Sequence, residues 1–290
     1  MLIKMLKGVF SGGRESGTEG PASGSRAQAP PVLPPRSAAS LDSVKSFVFP
    51  VFWGVGEPQR FRTEVEALTK SMAPGYHAAD NLITWGRNNS MFDDAAFVDA
   101  WQNNAESVND KAIVWRRYVL ATSAFHCVQL EGDFVECGAY TGAGVKTVVD
   151  YLGGVGFPRQ FWAYDAFEHD ESMANHGMPD LGPGLFERVR AKFRNYPQVR
   201  IVKGLIPDSF KDNCPDRIAY LHIDLNQAPA ELAALDQLFD RVVPSGIVIL
   251  DDYEWSGIYR GQKLAEDEWF DKRGYRVMPL PTGQGLVVKR

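Results

Sequence analysis

Residues 134–144 read Phe134-Val135-Glu136-Cys137-Gly138-Ala139-Tyr140-Thr141-Gly142-Ala143-Gly144. A short apolar run gives way to three glycines and then to a helical pattern, Val145–Leu152. Glycine lets a chain turn sharply and lets a ligand approach the backbone with no Cβ in the way. The same strand-to-helix alternation repeats downstream. Runs of strand length occur at Phe134–Cys137, Phe161–Tyr164, Val199–Val202, Ala219–Ile223 and Ile247–Leu250. Helical segments at Leu185–Asn195 and Pro229–Val243 lie among them. In the latter, Leu232, Leu235, Leu238 and Val242 form a stripe, Pro229 suits the first turn, and Pro244-Ser245-Gly246 ends the helix. Tyr275–Leu280 and Leu286–Lys289, joined by Pro281–Gly285, read as a hairpin. The fold class is α/β: a doubly wound, mostly parallel sheet with an antiparallel last strand, preceded by helices.

Upstream the character differs. From about 60 to 130 the pattern is helical, clearest in Val114, Tyr118, Ala121, Phe125 and Val128, with Asp110 expected as N-cap. Phe47–Gly56 is apolar and aromatic, and is expected to pack on the catalytic domain or on a second copy of the chain, which leaves a homo-oligomer open. Within 11–40, Gly, Pro and Ser supply 16 of 30 residues with no aromatic. Such a segment buries too little surface to offset its ordering entropy. The expected division is a disordered tail over 1–40, a helical extension or cap over 41–130, and the catalytic domain over 131–290.

Composition narrows the function. The net charge is −5, of which residues 1–40 carry +3 and the remainder −8. That balance argues against a dedicated nucleic-acid binder. No apolar stretch is long enough for a membrane span, and Met1–Phe10 is too short for a signal peptide. Three cysteines, Cys127, Cys137 and Cys214, cannot all pair, so a cytoplasmic setting is expected.

In open α/β sheets ligands bind at the carboxyl ends of the strands. The glycine spacing after Glu136 is not the dinucleotide fingerprint, since from Gly142 its last position is Thr147. An acidic residue, then Gly138, then Gly142 fits better a loop holding the zwitterionic end of S-adenosylmethionine; the competing reading is a tight turn without a ligand. The second strand ends in Asp165-Ala166-Phe167, 27 positions after Gly138, where a carboxylate can accept from both ribose hydroxyls. The fourth and fifth strands end in His222-Ile223-Asp224 and Leu250-Asp251-Asp252. Three neighbouring carboxylates repel unless they bind a cation or keep protons, and an all-oxygen set selects Mg²⁺ or another hard ion. His222 shares a strand face with Asp224, either as a base or as a packed core histidine. His169 and His176 fall in the Gly/Pro-rich loop 168–184, read as a mobile lid, and the Thr282–Gly285 turn is expected to face the cleft.

Taken together, Phe134–Gly138 with Gly142, Asp165-Ala166-Phe167, His222-Ile223-Asp224 and Gly246–Tyr253 resemble the macrocin O-methyltransferase family over roughly residues 80–290. The resemblance implies a class I S-adenosylmethionine-dependent, Rossmann-like fold with a seven-stranded sheet, and methyl transfer to a sugar hydroxyl with Mg²⁺. It implies cofactor contacts from Glu136, Gly138, Tyr140, Thr141, Gly142, Asp165 and Phe167. It implies metal ligands at Asp224, Asp251 and Asp252, with Asp224, Asp251 and His222 as catalytic candidates. Asn226-Gln227-Ala228 stands where the family often carries Asp and Tyr, and Pro244-Ser245-Gly246 replaces Pro-Gly-Gly. Two other functions are retained as expectations to be tested: methylation of a phenol or catechol, and a silent methyltransferase-fold protein that binds a partner. A nicotinamide-dependent reductase is disfavoured by the glycine spacing and by Gly257, which stands where a Tyr-x-x-x-Lys pair starting at Tyr253 would need lysine.

Overall fold

A computed structural model describes residues 44–170, 173, 177–211 and 213–290. The tail over 1–40 and His176 lie outside the described residues. Three short strands, β1 (Phe47–Val48), β2 (His77–Ala79) and β3 (Leu82–Thr84), form a small sheet in that order, with helix α1 (Pro58–Thr69) between the first two. Helices α2 (Ala95–Asn104), α3 (Val108–Ala112) and α4 (Val114–Cys127) follow. The stretch read as helical therefore contains a hairpin at 77–84. Its two-residue turn, Asp80-Asn81, has φ of 51° and 54°. That is the type I′ geometry that joins twisted strands, and Asp and Asn tolerate it. The reading of Asp110 as N-cap of α4 is corrected: Asp110 lies inside α3, in a reciprocal capping box with Ser107.

The main sheet comprises β4 (Asp133–Cys137), β5 (Phe161–Asp165), β6 (Val199–Lys203), β7 (Ile218–Ile223), β8 (Val242–Leu250), β9 (Met278–Pro279) and β10 (Gly285–Val288). Their spatial order is β6-β5-β4-β7-β8-β10-β9. The first five are parallel, and β10 runs antiparallel to both its neighbours. The seven-stranded, mostly parallel, doubly wound sheet expected from the sequence is present.

Period-two alternation explains why both faces are covered. Phe134, Phe161, Ala163, Tyr220 and Ile249 point to one face and pack with Leu120 and Ala124 of α4 and Val145 and Val149 of α5 (Ala143–Tyr151). Val135, Tyr164, Leu221, Ile223 and Leu250 point to the other, against Leu235, Leu238 and Phe270. Helices α6, α7 and α8 span Leu185–Lys192, Ala228–Leu238 and Arg260–Asp271. Because α4 packs directly on the sheet, the cover of the α/β core begins at Val114. The aromatic stretch after residue 46 packs within its own chain: the Phe47 ring lies 5.2 Å from Phe92 and 5.4 Å from His77.

The expected helix Pro229–Val243 ends early, at Leu238, and β8 starts at Val242. Pro244-Ser245-Gly246 lies inside that strand as an irregularity, since Ile218 pairs with Val242 while Tyr220 pairs with Ile247. A Cβ at Gly246 would come within 2.8 Å of the Val243 carbonyl and 3.0 Å of that of Ala219. The bulge thus requires glycine there.

Two buried glutamates, Glu231 of α7 and Glu266 of α8, interact where those helices pack. Burial, with repulsion from Asp267, pushes the Glu266 carboxyl up to about 7. The folded chain thus keeps a proton that the unfolded chain loses from about pH 4.5, so this group's contribution is full below 4.5 and is lost as pH rises through 7. Glu266→Gln is expected to be more stable than the wild type at pH 8, on the order of 3 kcal/mol, and nearly equal at pH 4.5. Urea unfolding at the two pH values checks this, and equal differences at both would refute it.

Candidate active site

The loop from Glu136 to Gly144 carries the chain out of β4 and into the N-terminus of α5. Gly138 has φ +97°, and a Cβ there would sit 1.8 Å from the main-chain oxygen of Asp224. Only glycine lets the two strand-end loops cross so closely. Tyr140 adopts φ 47°, and Gly142, at φ 75°, precedes the first turn of α5. The Thr141 carbonyl accepts from Lys192 Nζ at 2.6 Å. Tyr140 Oη donates to Asp180 Oδ2 and accepts from Asp180 N, both at 2.9 Å, which fastens the loop after β5 to the glycine loop.

Asp165 closes this half of the site. Its Oδ2 accepts from Tyr140 N at 2.7 Å and its Oδ1 from Phe167 N at 2.5 Å. Burial raises its proton affinity, and the two amide bonds work the other way. A carboxylate offers about four lone-pair sites, so two remain for ligand hydroxyls. The Phe167 ring is fully buried and packs at a tilt on Phe186, with ring centres 5.4 Å apart, while its main chain donates to Asp165 and accepts from Gly182 N. Glu136 is also buried, with Oε2 3.3 Å from His222 Nδ1.

The second half lies one strand over. Ile223 pairs with Leu250, and Asp251 N donates to the Ile223 carbonyl at 2.9 Å, so the strand ends are level. One ligand atom each from Asp224, Asp251 and Asp252 lies within 4.8 Å of the others. His222, 1% exposed, is wedged between Glu136 and Asp251, with Nε2 3.4 Å from Asp251 Oδ1. Burial would lower its pKa, but the two carboxylates outweigh that and push it up to about 10. Gln284 Nε2 donates to Asp251 Oδ1 at 2.8 Å.

A residue that sequence reasoning missed dominates this half. Arg116 of α4 donates through Nη1 to Asp251 Oδ2 at 2.7 Å and to Asp252 Oδ1 at 3.1 Å. Its Nε and Nη2 grip Asp80 of the hairpin turn at 2.9 and 3.1 Å. Burial works against the Asp251 carboxylate, yet Arg116 and His222 hold it well below the usual range. Asp252, buried and beside Asp251, rises to about 6 despite Arg116. Asp224 rises well above the ordinary value through burial and repulsion from its two neighbours. Its Oδ1 accepts from Asn226 Nδ2 at 3.2 Å. Four acidic groups thus gather round one guanidinium. The surplus of negative charge and the all-oxygen donor set fit a hard divalent cation, which would compete with Arg116 Nη1 for Asp251 and Asp252. The signal for Arg116 was present as the pair Arg116-Arg117, flanked by the apolar residues 112–115 and 118–121.

The family profile for macrocin O-methyltransferases matches residues 118–274, more than half of the chain. The chain belongs to the macrocin O-methyltransferase family. Within that family it is similar to the 8-demethyl-8-(2,3-dimethoxy-alpha-L-rhamnosyl)-tetracenomycin-C 4'-O-methyltransferase of Streptomyces olivaceus, with 29% identity over 140 residues, covering 42% of this chain and 53% of that protein. It is similar to the demethyldecarbamoylnovobiocin O-methyltransferase of Streptomyces niveus, with 29% identity over 138 residues and the same coverage. The chain thus spans about half the length of the curated relatives it matches. Among solved structures, the O-methyltransferase NovP superposes with a TM-score of 0.52 at 22% identity, covering 61% of this chain and 80% of that one, which agrees with the fold. The segment matched to the macrocin O-methyltransferase family holds the glycine loop, Asp165, His222 and the three aspartates. Asp80, Arg116 and Gln284 lie outside it.

Proposed function

We propose that this protein is an S-adenosylmethionine-dependent O-methyltransferase that acts, with Mg²⁺, on a hydroxyl of a sugar or glycosylated small molecule. The observation that carries the reading is the crossing of Gly138 against Asp224, which sets the glycine loop directly beside an oxygen-rich cluster. Support for a sugar-bearing acceptor comes from the rhamnosyl group in the name of the Streptomyces olivaceus relative.

When bound, S-adenosylmethionine supplies an electrophilic methyl on a sulfonium. The chain's own residues do the rest. Asp165 would hold the ribose with its remaining lone pairs, and the amides at the start of α5 would receive the methionine carboxylate. Asp251 and Asp252 keep ionised oxygens for the cation. Of the three candidates for the base, His222 already carries its proton, and Asp251 is occupied by Arg116, His222 and Gln284. That leaves Asp224, which would be ionised with the cation beside it, to accept the hydroxyl proton as the O–CH₃ bond forms and the S–CH₃ bond breaks. Alignment and exclusion of water are the main demands, because charge on donor and nucleophile is neutralised together. We place the protein in a reducing compartment, the cytoplasm, in keeping with free Cys127 and Cys137 buried in the core. Among the described residues no helix is long and apolar enough to cross a membrane.

Calorimetric titration with S-adenosylhomocysteine tests the reading. Binding near micromolar, about −8 kcal/mol, is expected, and Asp165→Ala should weaken it on the order of 100-fold. Absence of binding to the wild type would favour the silent partner-binding protein. Methylation of a catechol, with no turnover of any glycoside, would replace the sugar acceptor by a phenolic one.

A further inference from the structure

The first turn of α4 places two arginines side by side, and adjacent side chains leave a helix roughly 100° apart. Arg116 reaches the aspartates of β8. Arg117 reaches the glycine loop instead. Its Nη1 lies 2.6 Å from the point that a Cβ on Gly144, in the first turn of α5, would occupy. Glu136 Oε1 lies 3.2 Å from the same point. A guanidinium and a carboxylate thus meet at one glycine where the loop enters the helix.

Both groups keep capacity for a ligand. Arg117 is largely buried, with 18% of its side chain exposed, yet its ion pair is a long one, from Nη2 to Asp110 Oδ1 at 3.5 Å. Asp110 is committed through its other oxygen to the capping box of α3. Glu136 turns Oε2 to His222, so Oε1 is the oxygen directed at Gly144. Lys192, a second cation at this loop, is occupied by the Thr141 carbonyl at 2.6 Å and by Glu106 at 2.8 Å. Burying a guanidinium costs solvation that one distant carboxylate offsets poorly, and an anion at Nη1 would complete the balance.

We infer that Arg117 recognises the amino-acid end of S-adenosylmethionine: its guanidinium takes the α-carboxylate, and the α-ammonium is set toward Glu136. The inference rests on the methyl-transfer reading above and deepens it. An α-amino acid carries both charges on a single carbon, so its partners must also stand close together, as they do here. A side chain at position 144 would occupy the space into which the guanidinium reaches, which is why glycine suits that place. The carboxylate then receives from α4 as well as from the first amides of α5. The planar fork of arginine offers it two parallel N–H bonds, which lysine cannot reproduce. Arg116 and Arg117 thus serve different halves of the site, one the aspartates and the other the charged end of the cofactor.

Calorimetric titration of the full chain with two probes tests the assignment. One is S-adenosylhomocysteine; the other is its decarboxylated analogue, which keeps the adenosine, the thioether and the amine. The wild type is expected to favour the first by roughly 30-fold, the worth of a charge-assisted contact. Arg117→Met should lose that preference, because S-adenosylhomocysteine weakens by about 30-fold while the decarboxylated probe binds as it does to the wild type. Arg117→Lys, which keeps the charge without the fork, should fall between the two, and it carries the test if the Met variant does not fold. Equal weakening of both probes would mean that Arg117 supports the site as a whole and would overturn the assignment, as would a wild-type preference in both variants. A wild type that binds both probes equally overturns the assignment and leaves the methyl-transfer reading standing. A wild type that binds neither refutes that reading, and the assignment falls with it.

Discussion

Asp251→Ala is expected to abolish methyl transfer, lowering kcat by at least about 10³-fold, and also to lower stability by about 3–5 kcal/mol. The second effect follows from what surrounds the carboxylate. Arg116, His222 and Gln284 all donate toward it, so truncation takes one carboxylate from each of two buried cations, leaving Arg116 with Asp80 and Asp252 and His222 with Glu136. For a chain of this size the melting temperature should fall by roughly 10 °C. Affinity for S-adenosylhomocysteine should change little, because Asp165 and the glycine loop lie on other strands. Thermal melts and cofactor titration on the same preparation separate the two roles. A variant that melts like the wild type would refute the charge bridge, and equal loss of turnover and cofactor binding would refute the division of labour.

Arg116→Met should cost a similar amount, about 3–5 kcal/mol in EDTA, since it leaves Asp80, Asp251 and Asp252 buried without their shared cation. Its distinguishing outcome is the response to metal. With Nη1 gone, Asp251 and Asp252 no longer divide their oxygens between a guanidinium and an ion. Mn²⁺ is therefore expected to bind on the order of tenfold more tightly than in the wild type and to recover more of the lost melting temperature. Calorimetry with Mn²⁺ on the purified chain provides the comparison. Equal or weaker affinity in the variant would mean that Arg116 supports the cation site rather than competing for it.

Much of the sheet was legible because its strands are buried on both faces and so appear as short apolar runs between helical stripes. The strand-end carboxylates were legible for the same reason: once β7 and β8 are neighbours, Asp224 and Asp251 must fall level. What the sequence concealed was of three kinds. His77–Ala79 and Leu82–Thr84 are three residues each, too short for an alternation to show, and the Asp80-Asn81 turn between them is a weaker signal than Asn-Gly. Arg116 was hidden because the α4 stripe was traced through apolar positions, and a buried arginine has no period. Its partners stand 36, 135 and 136 positions away, a separation that local reading does not span. The start of β8 was misplaced because Pro244-Ser245-Gly246 has the composition of a helix stop, yet here it is a bulge between paired strands.

The contact between Gly138 and the Asp224 carbonyl has an implication for how this chain can change over time. Blocking atoms on side chains can be trimmed by a second mutation; this one belongs to the main chain and is present whatever residue occupies position 224. Position 138 therefore has no compensating partner. Drift at side chains elsewhere round the site can be compensated by a neighbour, but the offset between the two strand-end loops is inherited unchanged.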